Sequence, residues 1–125
     1  PLSLLGHPEE IRSAVLNLIT NAVRYTPRGG RIRVVWKRTG TGAVLTVADT
    51  GIGIPPEPLP RITERFYRVD KGRSRDTGGT GLGLAIVKHV MRRAGGELSI
   101  ESTSGEGSKF MLRFPEERIF SGRYL

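Results

Sequence analysis

Two asparagines, Asn17 and Asn21, lie four residues apart in a stretch that has the apolar pattern of an amphipathic helix. At this spacing their side chains fall on one flank of the helix, with Arg24 and Tyr25 one turn further along. Asparagine is unfavourable inside a helix, so the pair needs an explanation. A carboxamide oxygen suits a hard cation such as Mg²⁺, which also binds carboxylate and phosphate oxygens. The pair therefore indicates either a polar wall of a ligand cleft or two side chains that cap backbone or face water.

A second group of polar and small residues follows the second predicted strand, in the sequence Asp49-Thr50-Gly51-Ile52-Gly53-Ile54. Glycines at alternate positions let the backbone approach a flat ligand, while the carboxylate of Asp49 accepts a hydrogen bond. An adenine amino group is a suitable donor for that bond. The alternative is a glycine-rich turn in which the aspartate caps its own backbone.

A third group, residues 78–84 (GGTGLGL), leads directly into a second helical pattern. Glycines before a helix leave backbone N–H groups free to face an anion, and the helix dipole adds to the attraction. The segment lacks the Lys-Ser/Thr pair of a P-loop, so a different phosphate-binding loop is predicted. Upstream of it, residues 64–68 (ERFYR) pair aromatic rings with cations that are able to reach a phosphate.

The elements that must position these groups alternate between helices and hairpins. Pro8 and two acids suit the first turn of a helix, and Pro27 with Gly29-Gly30 ends it. The order predicts an α/β two-layer sandwich, with a mixed, mostly antiparallel sheet and helices on one face. The predicted elements are a helix over 8–25, strands over 31–38 and 43–48, a short helix over 61–66, a helix over 82–94 and strands over 97–102 and 108–114.

Composition narrows the function classes further. The 125 residues contain no cysteine, which excludes thiolate zinc sites, cysteine nucleophiles and disulfides. The net charge of +8 attracts polyanions, whether nucleic acid, acidic lipid or nucleotide phosphate. No apolar run approaches the roughly 20 residues of a membrane span. Because the chain begins at Pro1, we expect a piece of a longer protein, and any membrane anchor would lie outside this piece.

Taken together and in this order, the motifs NxxxN, DTGIGI, ERFYR, GTGLGL and SGEGS resemble the catalytic, ATP-binding domain of two-component sensor histidine kinases. The resemblance covers roughly residues 5–115 and implies the Bergerat fold of DNA gyrase, MutL and heat-shock chaperone ATPases. It implies a catalytic domain over 1–115 with an ATP lid over about 54–80, and a tail over 116–125. Residues 60–89, with Thr63 before Glu64, are similar to the lid of phosphate-regulon sensor kinases of Gram-negative bacteria.

The resemblance also implies a role for each motif residue. Asn21 would bind Mg²⁺ with Asn17 beside it, and Arg24 and Tyr25 would lie near the phosphates and the nucleotide. Asp49 would bind the adenine amino group, with Gly51 and Gly53 making room. The remaining nucleotide-binding residues would be Phe66, Arg68 at the γ-phosphate, and the glycine box Gly79, Thr80, Gly81, Leu82 and Gly83, while Gly105 and Gly107 match a minor glycine box.

Two departures refine the expected activity. Gyrase-like ATPases carry glutamate at the position of Asn17, and an amide is unable to act as a general base. The family's phosphorylated histidine lies on a separate dimerisation bundle, and His7 and His89 are both expected at the surface. The resemblance thus implies transfer of the γ-phosphate of Mg·ATP to a histidine on that domain and then to a response regulator. It also implies a cytoplasmic domain without membrane contact, in a homodimer anchored in the inner membrane.

Two alternatives remain open at this point. The same fold serves serine kinases of the anti-sigma type and ATPases that hydrolyse their nucleotide. A different class, a basic nucleic-acid-binding module, would require aromatic residues interleaved with cations on a strand face. Trp36 alone does not make that pattern, so we expect no nucleic-acid partner.

Overall fold

The computed structural model describes residues 2–4, 7–54 and 83–121, and these form two helices against a four-stranded sheet with a small second sheet. The elements are β1 (Leu2–Leu4), α1 (Pro8–Tyr25), β2 (Ile32–Thr39), β3 (Gly42–Asp49), α2 (Gly83–Arg93), β4 (Glu97–Thr103), β5 (Gly107–Pro115), a 3-10 helix (Glu116–Arg118) and β6 (Ile119–Ser121).

The main sheet has the order β2-β3-β5-β4, and all of its pairs are antiparallel. Two hairpins, β2–β3 and β4–β5, are joined side by side through β3 and β5. In this register Asp49, the last residue of β3, lies opposite Ser108 near the start of β5. The segment that begins at Asp49 is thereby brought beside the turn of the second hairpin.

The core lies between one face of this sheet and the two helices. Alternate residues of β3 and β5, such as Val47 and Phe110, point to the helices and are buried. Leu18 of α1 and Met91 of α2 meet them from the other layer, each about 1% exposed. The predicted α/β sandwich with helices on one face is therefore confirmed.

Both helices end where local chemistry predicts. Thr26 precedes a proline and has extended dihedrals, φ −103° and ψ 117°, which stops α1 after Tyr25. Gly95 follows α2 with φ +75°, and the N–H of Gly96 donates to the carbonyl of Met91 at 2.9 Å. This 6→1 bond with a left-handed glycine is a Schellman motif.

The sequence did not predict the second sheet. β1 pairs with β6 in antiparallel register, Leu2 opposite Ser121. β6 lies in the stretch predicted to be a tail, and three-residue strands carry too little periodicity to be recognised. Among the helices of the described residues, none is long and apolar enough to cross a membrane.

Candidate functional site

The start of α2 packs closely against the middle of α1. Asn17 donates from Nδ2 to the carbonyl of Ser13 at 2.8 Å, which turns its Oδ1 toward α2. That oxygen lies 2.8 Å from the point where a Cβ on Gly83 would stand. At the other end of the two packed helices, Arg93 Nε at the end of α2 donates to Glu10 Oε1 at the start of α1, at 2.9 Å. The two helices therefore run antiparallel.

Asn21 lies beyond the N-terminal end of α2. Four residues correspond to about 6 Å along a helix, so Asn21 is that far past the level of Asn17 and Gly83. Its side chain is half-buried, and within the described part of the chain its carboxamide makes no hydrogen bond. The positive end of the α2 dipole faces the same region. An unengaged amide oxygen and a helix N-terminus are thus brought together.

Asp49 uses one carboxylate oxygen inside the protein and leaves the other unengaged. Its Oδ1 accepts from the N–H of Gly51 at 2.9 Å, an Asx turn, and from the N–H of Ser108 at 3.3 Å. Oδ2 has no hydrogen-bond partner among the described residues. Asp49 follows Val47 by two positions, so it lies on the helix-facing side of β3. The capping turn is therefore present, and it fixes a carboxylate that still has an oxygen available to a donor, while adenine binding by Asp49 stays a prediction.

The glycines of the same loop are required by contacts within the protein. A Cβ on Gly51 would collide with the carbonyl oxygen of Tyr25, at the end of α1. Gly53 has φ +71°, and a Cβ there would collide with the carbonyl oxygen of Thr103. The carbonyl of Tyr25 also accepts from Ile52 N at 3.2 Å. Close backbone packing explains both glycines, and a role in making room for a nucleotide stays a prediction.

The β4–β5 turn is joined to this loop by several hydrogen bonds. The N–H of Gly105 donates to the carbonyl of Ile52 at 2.7 Å. The N–H of Ile54 donates to Ser102 Oγ at 2.7 Å, and that oxygen is 2.7 Å from Ser108 Oγ. We did not predict roles for these two serines. The signal available was their placement six residues apart, on either side of the turn at residues 104–106.

The remaining predicted residues divide between those described and those that are not. Arg24 is exposed and Tyr25 half-buried at the C-terminal end of α1. His7 and His89 are both exposed, as expected. The predictions that fall outside the described residues are the short helix over 61–66, most of the ATP lid over 54–80, and the sites Phe66, Arg68, Gly79, Thr80, Gly81 and Leu82.

The donor set fits Mg²⁺ bound largely through a substrate. Within residues 2–4, 7–54 and 83–121, no cluster of three or more His, Cys, Asp or Glu side chains is able to hold a metal. Mg²⁺ commonly takes one or two protein oxygens and completes its octahedron with phosphates and water. The unengaged carboxamide of Asn21, beside a helix N-terminus suited to phosphate, matches that type of site.

Comparison with known proteins agrees with the resemblance. Residues 6–118 match the family model described as histidine kinase-, DNA gyrase B-, and HSP90-like ATPase. The chain is 53% identical over 118 residues to the phosphate regulon sensor protein PhoR of Pseudomonas aeruginosa, covering 94% of this chain and 27% of that protein. The chain therefore spans about a quarter of that curated relative's length.

Solved structures give the same result. The mycobacterial sensor histidine kinase MprB superposes with a TM-score of 0.82 at 36% identity, covering 92% of this chain and 78% of that one. Full-length ShkA in complex with AMPPNP superposes with a TM-score of 0.71 at 33% identity, covering 82% of this chain and 20% of that one.

Proposed function

We propose a function for this chain, which belongs to the histidine kinase-, DNA gyrase B-, and HSP90-like ATPase family and is the ATPase domain of a sensor histidine kinase. It binds Mg·ATP and transfers the γ-phosphate to a histidine on another domain. The single observation that carries the proposal is the joint placement of Asn21, the α2 N-terminus and the free oxygen of Asp49 around the C-terminal end of α1. A nucleotide-binding family and a relative solved with AMPPNP support the ligand class.

The adenine end of the nucleotide is assigned to Asp49. An ionised carboxylate accepts hydrogen bonds and donates none, so Oδ2 selects a donor such as an exocyclic amino group. The Asx turn and the N–H of Ser108 hold the other oxygen, which fixes the orientation of the carboxylate before the ligand arrives. Little side-chain entropy is then lost on binding.

The phosphate end is assigned to the space beyond α2. Backbone N–H groups at the start of α2 and the helix dipole favour negative charge there. Asn21 would hold Mg²⁺ through its carboxamide oxygen. When bound, the ion neutralises charge that develops on the transferred phosphoryl group. Arg24 at the end of α1, and Arg68 in the segment that follows β3, are the cations assigned to the phosphates.

Asn17 favours phosphotransfer over hydrolysis. Its amide has no basic site with which to take a proton from water. The structure adds that Nδ2 is engaged by Ser13 and that Oδ1 is directed at Gly83, so the side chain serves helix packing. A water molecule beside the γ-phosphate therefore receives no activation from this position.

The partners follow from the family. The phosphate acceptor is assigned to a dimerisation domain of the same kinase, and a response regulator receives the group next. The 53% identity to a phosphate regulon sensor protein supports the phosphate-regulon type. We assign the whole protein to a homodimer anchored in the inner membrane, with this domain in the cytoplasm.

The test uses the chain as it stands together with a purified dimerisation domain that bears the acceptor histidine. With γ-labelled ATP and Mg²⁺, label should appear on the acceptor domain, and this label should be stable to base and labile to acid. Fast release of labelled phosphate by the chain alone would place it among the ATPases of the fold. Salt-dependent DNA binding without nucleotide binding would support a nucleic-acid-binding module instead.

A further inference from the structure

Ser102 lies at the junction of three backbone segments that surround Asp49. Its half-buried hydroxyl accepts from the N–H of Ile54 at 2.7 Å. It donates to the carbonyl of Gly107 at 3.1 Å and lies 2.7 Å from Ser108 Oγ. One oxygen of β4 thus holds the end of the 49–54 loop, the start of β5 and a second hydroxyl.

A proton count gives one direction of the bond between the two serines that satisfies every contact of the Ser102 hydroxyl. A hydroxyl has one proton to donate and two lone pairs that accept. Ser102 gives its proton to the carbonyl of Gly107 and accepts from Ile54 N–H, so one lone pair remains. The bond to Ser108 is then satisfied when Ser108 donates. In that arrangement Ser108 Oγ has no proton left and presents only lone pairs to its surroundings.

Ser108 stands directly beside Asp49. The two residues are cross-strand partners on the helix-facing side of the sheet, a position at which Cβ atoms are about 5 Å apart. The N–H of Ser108 also donates to Asp49 Oδ1 at 3.3 Å. The free Oδ2 of Asp49 and the hydroxyl of Ser108 therefore belong to directly paired residues on the same face of the sheet.

We propose that Ser102 is a positioning residue for base selection, which keeps Ser108 an acceptor beside Asp49 and thereby favours adenine over guanine. The inference rests on the proposed function, since it requires that this site bind a purine nucleotide. Adenine offers an amino group at position 6, whereas guanine offers a carbonyl that two acceptors repel. Without the Ser102 hydroxyl, the Ser108 proton is released and becomes able to donate to that carbonyl.

The test measures the affinities of the chain for Mg·ATP and Mg·GTP by calorimetry. Ser102→Ala should lower the preference for ATP over GTP roughly three- to ten-fold, the range of one hydrogen bond. Ser102→Thr keeps a hydroxyl and should keep the preference. Ser99→Ala is the matched control, because Ser99 lies on the other face of β4 and accepts from Arg113 Nε.

A purely structural role predicts another outcome, in which Ser102→Ala weakens both nucleotides equally and leaves their ratio unchanged. That result, or a wild-type chain that binds ATP and GTP equally, overturns the inference while leaving nucleotide binding intact. A wild-type chain that binds neither nucleotide overturns the proposed function itself.

If Ser102→Ala does not fold, Ser108→Ala and Ser108→Val provide the same measurement from the other partner. Both remove the acceptor, so the preference for ATP should fall by a similar factor. An unchanged ratio in a folded Ser108 variant overturns the inference.

Discussion

The carboxamide oxygen of Asn17 faces the Cα of Gly83, and it lies 2.8 Å from where a Cβ would stand. A side chain at this position would therefore require the Asn17 amide or one of the two helices to shift. The contact lies at the N-terminal end of α2, beside the N–H groups that are assigned to the phosphates. Asn17, one helical turn before the proposed metal ligand Asn21, is thus also part of the contact between the two helices.

We predict that Gly83→Ala lacks the gain in stability of about 1 kcal/mol that Gly→Ala normally gives in a helix. The new methyl group meets an amide that Ser13 already holds, so either that hydrogen bond or the helix spacing must change, and nucleotide affinity should fall. Urea denaturation and calorimetry measure the two effects. Gly40→Ala is the control, since nothing lies within 4 Å of its added Cβ. Unchanged affinity together with a full gain in stability would contradict the role of this contact.

We predict that Asn21→Ala abolishes Mg²⁺-dependent ATP binding and leaves the fold intact. The side chain makes no hydrogen bond within the described residues, so its loss should change the free energy of unfolding by less than about 1 kcal/mol. Calorimetry with and without Mg²⁺ separates the metal-dependent part of binding. Thr20→Ala, on the exposed side of the same helix turn, is the control. Equal Mg·ATP affinity in variant and wild type would remove Asn21 from the metal site.

We predict that Asp49→Asn weakens ATP and ADP by similar factors, because adenine is common to both. The remaining side-chain oxygen is still able to accept from Gly51 and Ser108, so the loop should keep its shape. The amide NH₂ group takes the place of the free oxygen, so a hydrogen-bond acceptor is replaced by a donor. Loss of one charge-assisted hydrogen bond corresponds to about 1.5–3 kcal/mol. If ATP binding fell while ADP binding held, Asp49 would face the phosphates instead.

The local elements of this fold are predictable from the sequence, whereas their assembly is only partly so. Both helices and both hairpins follow from periodicity and from turn residues such as Pro27 and Gly95. The pairing of β1 with β6 joins strands more than 100 residues apart and has no local signal. The register of Asp49 against Ser108 depends on β3 lying next to β5, which no single hairpin specifies.

The same division applies to the candidate site. Asn21 and Asp49 stand out in the sequence because polar side chains at those positions conflict with helix propensity or follow a buried strand. Ser102 does not stand out, since one serine in an exposed-looking strand is ordinary. Its importance comes from three groups that approach it from other segments. Likewise, the sequence indicates that Gly51 and Gly53 allow close approach, but it does not indicate the backbone carbonyls of Tyr25 and Thr103 that lie against them.

We predict that Gly53→Ala is far more destabilising than Gly29→Ala, although both glycines have positive φ, +71° and +89°. Strain from the left-handed conformation alone costs about 1–2 kcal/mol and applies to both variants. Only at Gly53 does the added Cβ collide with backbone, the carbonyl of Thr103, while Gly29 has nothing within 4 Å. Thermal or urea denaturation measures the difference. Equal losses of stability in the two variants would mean that the loop over 49–54 and the β4–β5 turn separate easily.

We predict that the chain alone binds Mg·ATP without phosphorylating itself. His7 precedes the first turn of α1 and is 14 residues from Asn21, about 21 Å along the helix. His89 lies six residues into α2, about 9 Å from the end that is assigned to the phosphates, and its side chain is exposed whereas Val87 and Val90 are buried. Neither imidazole is placed for in-line attack on a phosphoryl group held beside Asn21. Incubation with γ-labelled ATP should leave the chain unlabelled at every protein concentration, while an added acceptor domain becomes labelled. Acid-labile, base-stable label on the chain alone would show that catalyst and acceptor are not separate.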